Sequence, residues 1–152
     1  DIQILQRLLG GGMVEFHGEH YDFGKIQMSP APTKPVPLYL GGHTLPGLRR
    51  AAKHGDGWSS AMLPSKKILE TVAKLNELRK EYGTDQKPFE IQAVVTDAFT
   101  PDAYKRLEDA GVTDIIGVPW LFYGVPMAGG DLGKKIEGLE RYYEKVVIPT
   151  NA

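Results

Sequence analysis

The sequence contains no cysteine. That absence removes disulfides, thiolate chemistry and Cys-based metal sites together, and it permits a reducing cytoplasm. Charge of one sign is missing too. Eighteen Lys and Arg face 19 Asp and Glu, a net charge of −1, and no basic stripe stands out. A nucleic-acid partner is therefore not expected. No apolar run approaches the length of a membrane span, so no membrane role is expected either. The opening segment DIQILQRLLGGG lacks both a charged n-region and a long apolar h-region, so it does not read as a secretory signal. It has no initiator Met, which fits a fragment or a processed chain. Low-complexity tracts and internal repeats are absent as well. What remains has the composition of a globular chain long enough for one core.

The first part reads as a lead-in. Ile2 to Leu9 is amphipathic and predicts a helix, stopped by Gly10-Gly11-Gly12 where positive φ is needed. Val14-Glu15-Phe16 and Tyr21-Asp22-Phe23 alternate and predict a small hairpin around His17-Gly18-Glu19-His20. Ser29 to Pro37 carries four prolines and predicts an extended connector.

After Pro37 a regular rhythm begins. Strands are expected at Leu38–Leu40, Gly57–Ser60, Phe89–Thr96 and Asp114–Val118. Helices are expected over Leu45–His54, Pro64–Tyr82, Thr100–Ala110 and Asp131–Val147. In the second, Ile68, Val72, Leu75 and Leu78 recur at helical spacing and Gly83 supplies the stop. In the third, Thr100 is the N-cap and Pro101 the first helical residue. Four consecutive strand–helix units require parallel pairing with right-handed crossovers. That pattern fits either half of a closed barrel or a small doubly wound sheet.

In such folds ligands bind at the C-terminal ends of the strands. The qualifying loops are Gly41–Thr44, Ser59–Leu63, Thr96–Phe99 and Pro119–Gly130. Gly41-Gly42 leaves backbone amides bare at a helix start, where an anion can approach, and the Thr44 hydroxyl can add a hydrogen bond. The plainer reading is a tight turn. Ser59 and Ser60 sit near the mouth, where small side chains leave room for a ring or tail. Trp120, Phe122 and Tyr123 make the last loop unusually aromatic, either an apolar lip for an organic substrate or a cover for the barrel end or a dimer interface. Arg49 and Arg50 lie a turn past the helix start and read as surface residues. His17 and His20 have a metal-like spacing without a third ligand and read as surface polar groups, so no metal is expected. His54 suits a helix C-terminus. Asp56 is expected to bond the turn backbone, and Trp58 to pack the barrel interior.

The string from Gly41 through Leu48-Arg49-Arg50-Ala51-Ala52-Lys53-His54-Gly55-Asp56-Gly57-Trp58, with FHGEHYDF and the Pro-rich run before it, resembles the luciferase-like monooxygenase family. These are FMN- and F420-dependent oxidoreductases on a (β/α)8 barrel. The resemblance runs through most of the chain and covers the family's C-terminal half, since a complete barrel needs roughly 250 residues. It implies residues 1–152 as one partial barrel domain, four parallel βα units behind a hairpin and Pro-rich lead-in. It implies F420 as cofactor, with FMN the alternative, held through its phosphate-bearing tail by Gly41, Gly42, His43 and Thr44. It further implies hydride exchange with a small organic substrate in the cytoplasm. The polar groups acting near the reactive ring come largely from the family's first half, so no catalytic acid or base is named. Exposed sheet edges imply a homo-oligomer or a missing N-terminal half-barrel. Two other readings stand beside this one. One is a non-catalytic flavin-binding or barrel-completing subunit. The other is a barrel enzyme using Gly41-Gly42 for a sugar phosphate.

Overall fold

The computed structural model describes residues 1–151. Helix α1 (Ile2–Leu9) is followed by strands β1 (Val14–His17) and β2 (Asp22–Ile26), which pair antiparallel as the alternation predicts. Gly10 is right-handed at φ −72, and the left-handed turn falls one residue later, at Gly11 with φ 80. The connector from Ser29 to Pro37 contains no helix or strand.

Four βα units then build the body. Strands β3 (Tyr39–Leu40), β4 (Gly57–Leu63), β5 (Glu90–Val95) and β6 (Asp114–Ile115) form a parallel sheet in the order β3-β4-β5-β6. Helices α2 (Leu45–His54), α3 (Ser65–Glu81) and α4 (Pro101–Asp109) connect them. Spatial order equals chain order. A doubly wound sheet reverses direction at a switch point, whereas a singly wound barrel wall does not. The sheet is thus the wall of a half-barrel.

The core lies between sheet and helices. Ile91, Ala93 and Val95 alternate along β5 and pack with Leu48, Ala51, Ile68, Val72, Leu75 and Leu107. Trp58 belongs to this layer. It pairs in register with Leu40 and Ile91 and has no exposed surface. The expectation that it packs the barrel interior is therefore corrected: its side chain takes the same face as Ile91, towards the helices. Burying an indole of this size contributes about 3 kcal/mol or more.

The opposite face of the sheet is polar at its base. Tyr39, at the first position of β3, hydrogen-bonds through its hydroxyl to Glu90, at the first position of β5. Gly57 lies between them in register. A Cβ there would stand 2.6 Å from both the Glu90 carbonyl and Tyr39 Cδ1, so only glycine lets the ring cross the strand. Asp56 was expected to bond the backbone of its own turn; its Oδ2 instead accepts from the Leu38 amide at 2.8 Å, tying the turn to the chain just ahead of β3.

Arg79, buried near the end of α3, donates to the carbonyls of Thr84 and Lys87 and stacks 4.5 Å over Phe89. It ties the Gly83 turn (φ 65) to the start of β5. Burial lowers its pKa from the ordinary guanidinium value.

Past β6 the chain departs from the expected plain loop. Pro119–Tyr123 forms a 3-10 turn closed by Gly124 at φ 76. Helix α5 (Leu132–Tyr142) follows, passes into a π turn at Tyr143–Val147 and ends in the short α6 (Ile148–Thr150). The expected helix over Asp131–Val147 thus starts as an α-helix but is underwound at its end. No helix among the described residues is long and apolar enough to cross a membrane.

Candidate functional site

Leu40 ends β3, and Gly41 and Gly42 turn the chain into α2. Gly42 has φ 114, a conformation L side chains rarely adopt. Its carbonyl accepts the Trp58 indole N–H at 2.9 Å, which fixes the turn to the sheet beneath. Thr44 is the N-cap residue in extended conformation, and its carbonyl accepts from the Leu48 amide at 3.0 Å. Its hydroxyl makes no capping bond.

The other helix starts differ. The Ser65 amide at the head of α3 donates to Asp97 Oδ1 at 2.6 Å, α4 is capped by Thr100 and α5 by Asp131. Of α2 to α5, only α2 begins without a side-chain acceptor among the described residues. Pro46 has no N–H and the Leu48 amide serves Thr44, so the free first-turn donors among the described residues are the Leu45 and Gly47 amides. With the positive end of the dipole they adjoin an exposed loop of Gly41, Gly42, His43 and Thr44.

The end of β4 forms the second wall. Ser59 pairs with Gln92 but Met62 with Val94, so two β4 residues oppose one on β5 in a bulge. Side chains take over the displaced ladder bonds. Ser60 Oγ accepts from the Val94 amide at 2.8 Å, and His43 Nε2 accepts from the Ala61 amide at 3.1 Å. Ser60 is buried, so the structure commits its hydroxyl to the sheet, while Ser59 is half-buried on the open face. The His43 ring stands edge-on to Trp58, with centroids 5.8 Å apart. Gly41, Gly42, His43 and Thr44 are thus brought together at one strand end with the β4 bulge.

The aromatic residues divide. Trp120 packs its backbone on Gly138 of α5, where a Cβ would come within 2.9 Å of Trp120 Cα. Lys135 and Arg141 of α5 lie over the Trp120 and Tyr123 rings at 5.4 and 5.8 Å. Both rings therefore belong to the α5 contact. Phe122 also stacks on Tyr142 of α5, at 5.8 Å, but in addition meets Phe99 at 4.3 Å, and the Phe122–Phe99 pair is 40% and 37% exposed at the ends of β6 and β5. Phe99 was not singled out by sequence, although its loop was; only its pairing across 23 residues reveals it.

The remaining candidates lie elsewhere. Arg49 and Arg50 are exposed and, with Lys53 and His54, line a cleft of about 640 Å³ beside α1 and the β3 edge. His17 Nδ1 lies 2.5 Å from Asp22 in the hairpin, and no group of three potential metal ligands gathers among the described residues. The His54 carbonyl accepts from Gln6 of α1 at 3.1 Å.

Comparison with known proteins agrees with this architecture. The family model described as luciferase-like monooxygenase matches residues 2–145. The chain belongs to that family. An uncharacterised protein of Mycobacterium tuberculosis is 42% identical over 150 residues, 96% of this chain and 50% of that relative. A pyrimidine monooxygenase, RutA, of Allorhizobium ampelinum is 27% identical over 125 residues, 78% of this chain and 34% of its own length. This chain thus spans half or less of these curated relatives.

Two solved structures share the fold. One is a coenzyme F420-dependent tetrahydromethanopterin reductase from Methanopyrus kandleri, with TM-score 0.53 and 20% identity, over 69% of this chain and 32% of that one. The other is an F420-dependent secondary alcohol dehydrogenase bound to an F420-acetone adduct, with TM-score 0.55 and 19% identity. That match covers 95% of this chain and 52% of the dehydrogenase. The half-barrel read from strand order matches part of each of these larger enzymes.

Proposed function

We propose that this chain is the cofactor-tail-binding half of a flavin- or deazaflavin-dependent oxidoreductase, with F420 as the favoured cofactor and a small organic molecule as substrate. The observation that carries the reading is the start of α2, the one helix of α2 to α5 without a side-chain acceptor among the described residues. Uncapped amides and a helix dipole suit a phosphate, and the positive φ of Gly42 turns the chain tightly ahead of them. Gly41, Gly42, His43 and Thr44 would hold that group, with the Thr44 hydroxyl as a further donor. Ser59 would border the tail from β4, while Ser60 supports the bulge from within the sheet. Phe122, with Phe99, would give the substrate an apolar surface at the far side of the mouth, and Trp120 and Tyr123 would brace it from α5.

The bound ring would supply two-electron transfer chemistry. The chain's own residues bind, orient and shield, and no proton-transferring group is assigned among them. The preference for F420 follows the two F420-dependent structural neighbours, with FMN as the alternative that the family resemblance implies.

An anaerobic fluorescence titration of the chain with F420, and separately with FMN, tests this. Saturable micromolar binding of one, lost in Gly42→Val, is the expected result. Binding of neither would remove the cofactor function from this chain. It would favour the second reading, a barrel-completing partner without its own ligand.

A further inference from the structure

The β4 bulge leaves the Ala61 amide without a strand acceptor, and the imidazole of His43 takes its place. A backbone amide is only a donor, so the nitrogen facing it carries no proton. In the neutral ring the proton must then sit on Nδ1. Nδ1 has no acceptor among the described residues, and the His43 side chain is exposed. The ring cannot rotate freely, because Trp58 stands edge-on to it and Trp58 is itself fixed by its bond to the Gly42 carbonyl. Three groups therefore form a closed circuit: Gly42 holds Trp58, Trp58 backs His43, and His43 returns to the second loop at Ala61.

We propose that His43 is the positioning residue of the site, a tautomer-locked clamp between the two βα loops. Its Nε2 fastens the Gly41–Thr44 turn to the β4 bulge, and its Nδ1–H is left as a donor to an acceptor atom of the bound ligand. The clamp stands on this chain alone. The ligand arm rests on the cofactor reading above and deepens it, since a turn fixed in advance presents its amides without an ordering cost.

The experiment is NMR of the chain labelled with 15N in histidine, combined with amide exchange at Ala61 and cofactor titration. The expected spectrum shows the Nδ1–H tautomer for His43 in neutral buffer. Ala61 exchange should accelerate at least about tenfold in His43→Phe, which keeps an aromatic ring but loses the acceptor. It should return towards the wild-type rate in His43→Gln, whose amide oxygen can accept the same bond. Cofactor affinity should follow that order, with Kd about tenfold higher in His43→Phe. An Nε2–H tautomer, or an Ala61 amide indifferent to His43→Phe, would overturn the clamp. Equal cofactor affinity in wild type and His43→Phe would overturn the ligand arm. If wild type binds neither cofactor, the cofactor reading fails and the ligand arm with it, while tautomer and exchange still decide the clamp.

Discussion

Gly42 and Gly47 touch backbone to backbone. A Cβ built on Gly47 would lie 3.2 Å from Gly42 Cα, and one on Gly42 would lie 3.3 Å from Gly47 Cα. The contact seats the first turn of α2 on the loop that precedes it.

This contact reverses an ordinary expectation. Gly→Ala inside a helix normally stabilises by about 1 kcal/mol. Gly47→Ala should instead destabilise by about 1 kcal/mol, because its new methyl pushes against the Gly42 backbone. Gly42→Ala should cost about 1–3 kcal/mol through its positive φ as well. Urea unfolding of both variants measures this, and a stabilised Gly47→Ala would show that the loop simply yields.

Gly57→Ala should be harsher. Its Cβ would meet the Glu90 carbonyl and the Tyr39 ring at 2.6 Å, so either the strands part or the ring leaves. A loss of about 2–3 kcal/mol is expected. Gly12→Ala is the control, since nothing lies within 4 Å of its Cβ position and its φ is not positive. Paired thermal melts should separate the two clearly.

The Tyr39 hydroxyl titrates late. Its hydrogen bond to Glu90, then desolvation and the surrounding carboxylates, raise its pKa to about 12. Folded Tyr39 thus keeps its proton where the unfolded side chain, near 10, has lost it. The stabilisation is full below about pH 10 and is lost as pH rises towards about 12. The difference between wild-type and Tyr39→Phe tyrosinate absorbance should therefore be centred near pH 12. A difference centred at the ordinary tyrosine value would mean that the pair does not form in solution.

Arg79→Met keeps length and loses both carbonyl bonds. Two carbonyls, of Thr84 and Lys87, then lack their protein donor. The cost should be about 2–3 kcal/mol in denaturant unfolding. Exchange of the amides around Gly83 should accelerate more than exchange in α2. Uniform acceleration would indicate that Arg79 supports the whole core rather than this turn.

Local signals located most of the sheet-and-helix frame. Helix α2 lies at its expected bounds, Leu45–His54, because Thr44 and Gly55 punctuate it on both sides. Thr100 caps α4 and Gly83 ends α3 for the reasons read from sequence. The family string also pointed to the Gly41–Thr44 loop, which the structure brings together with the β4 bulge. Elsewhere local pattern could not reach. Strand β4 runs to Leu63, beyond the expected Ser60, because the bulge breaks the alternation that marks a strand. Trp58 was assigned to the wrong face, since a single large side chain carries no parity until its register partners are known. The Tyr39–Glu90 pair joins residues 51 apart and leaves no trace in either neighbourhood. The 3-10 turn at Pro119–Tyr123 had its punctuation in view, Pro119 and Gly124, but its hold on α5 depends on Gly138.

The polar lining at the base of the sheet has one more implication. Tyr39, Glu90 and Asp114 begin three of the four strands on a surface that water can wet. A half with such a lining does not depend on its complement to shield an oily wall there. The open backbone edges of the sheet are its two outer strands, and those are two residues each. Short borders give little template for runaway stacking. A parallel sheet bordered this way meets its surroundings through side chains more than through open backbone edges.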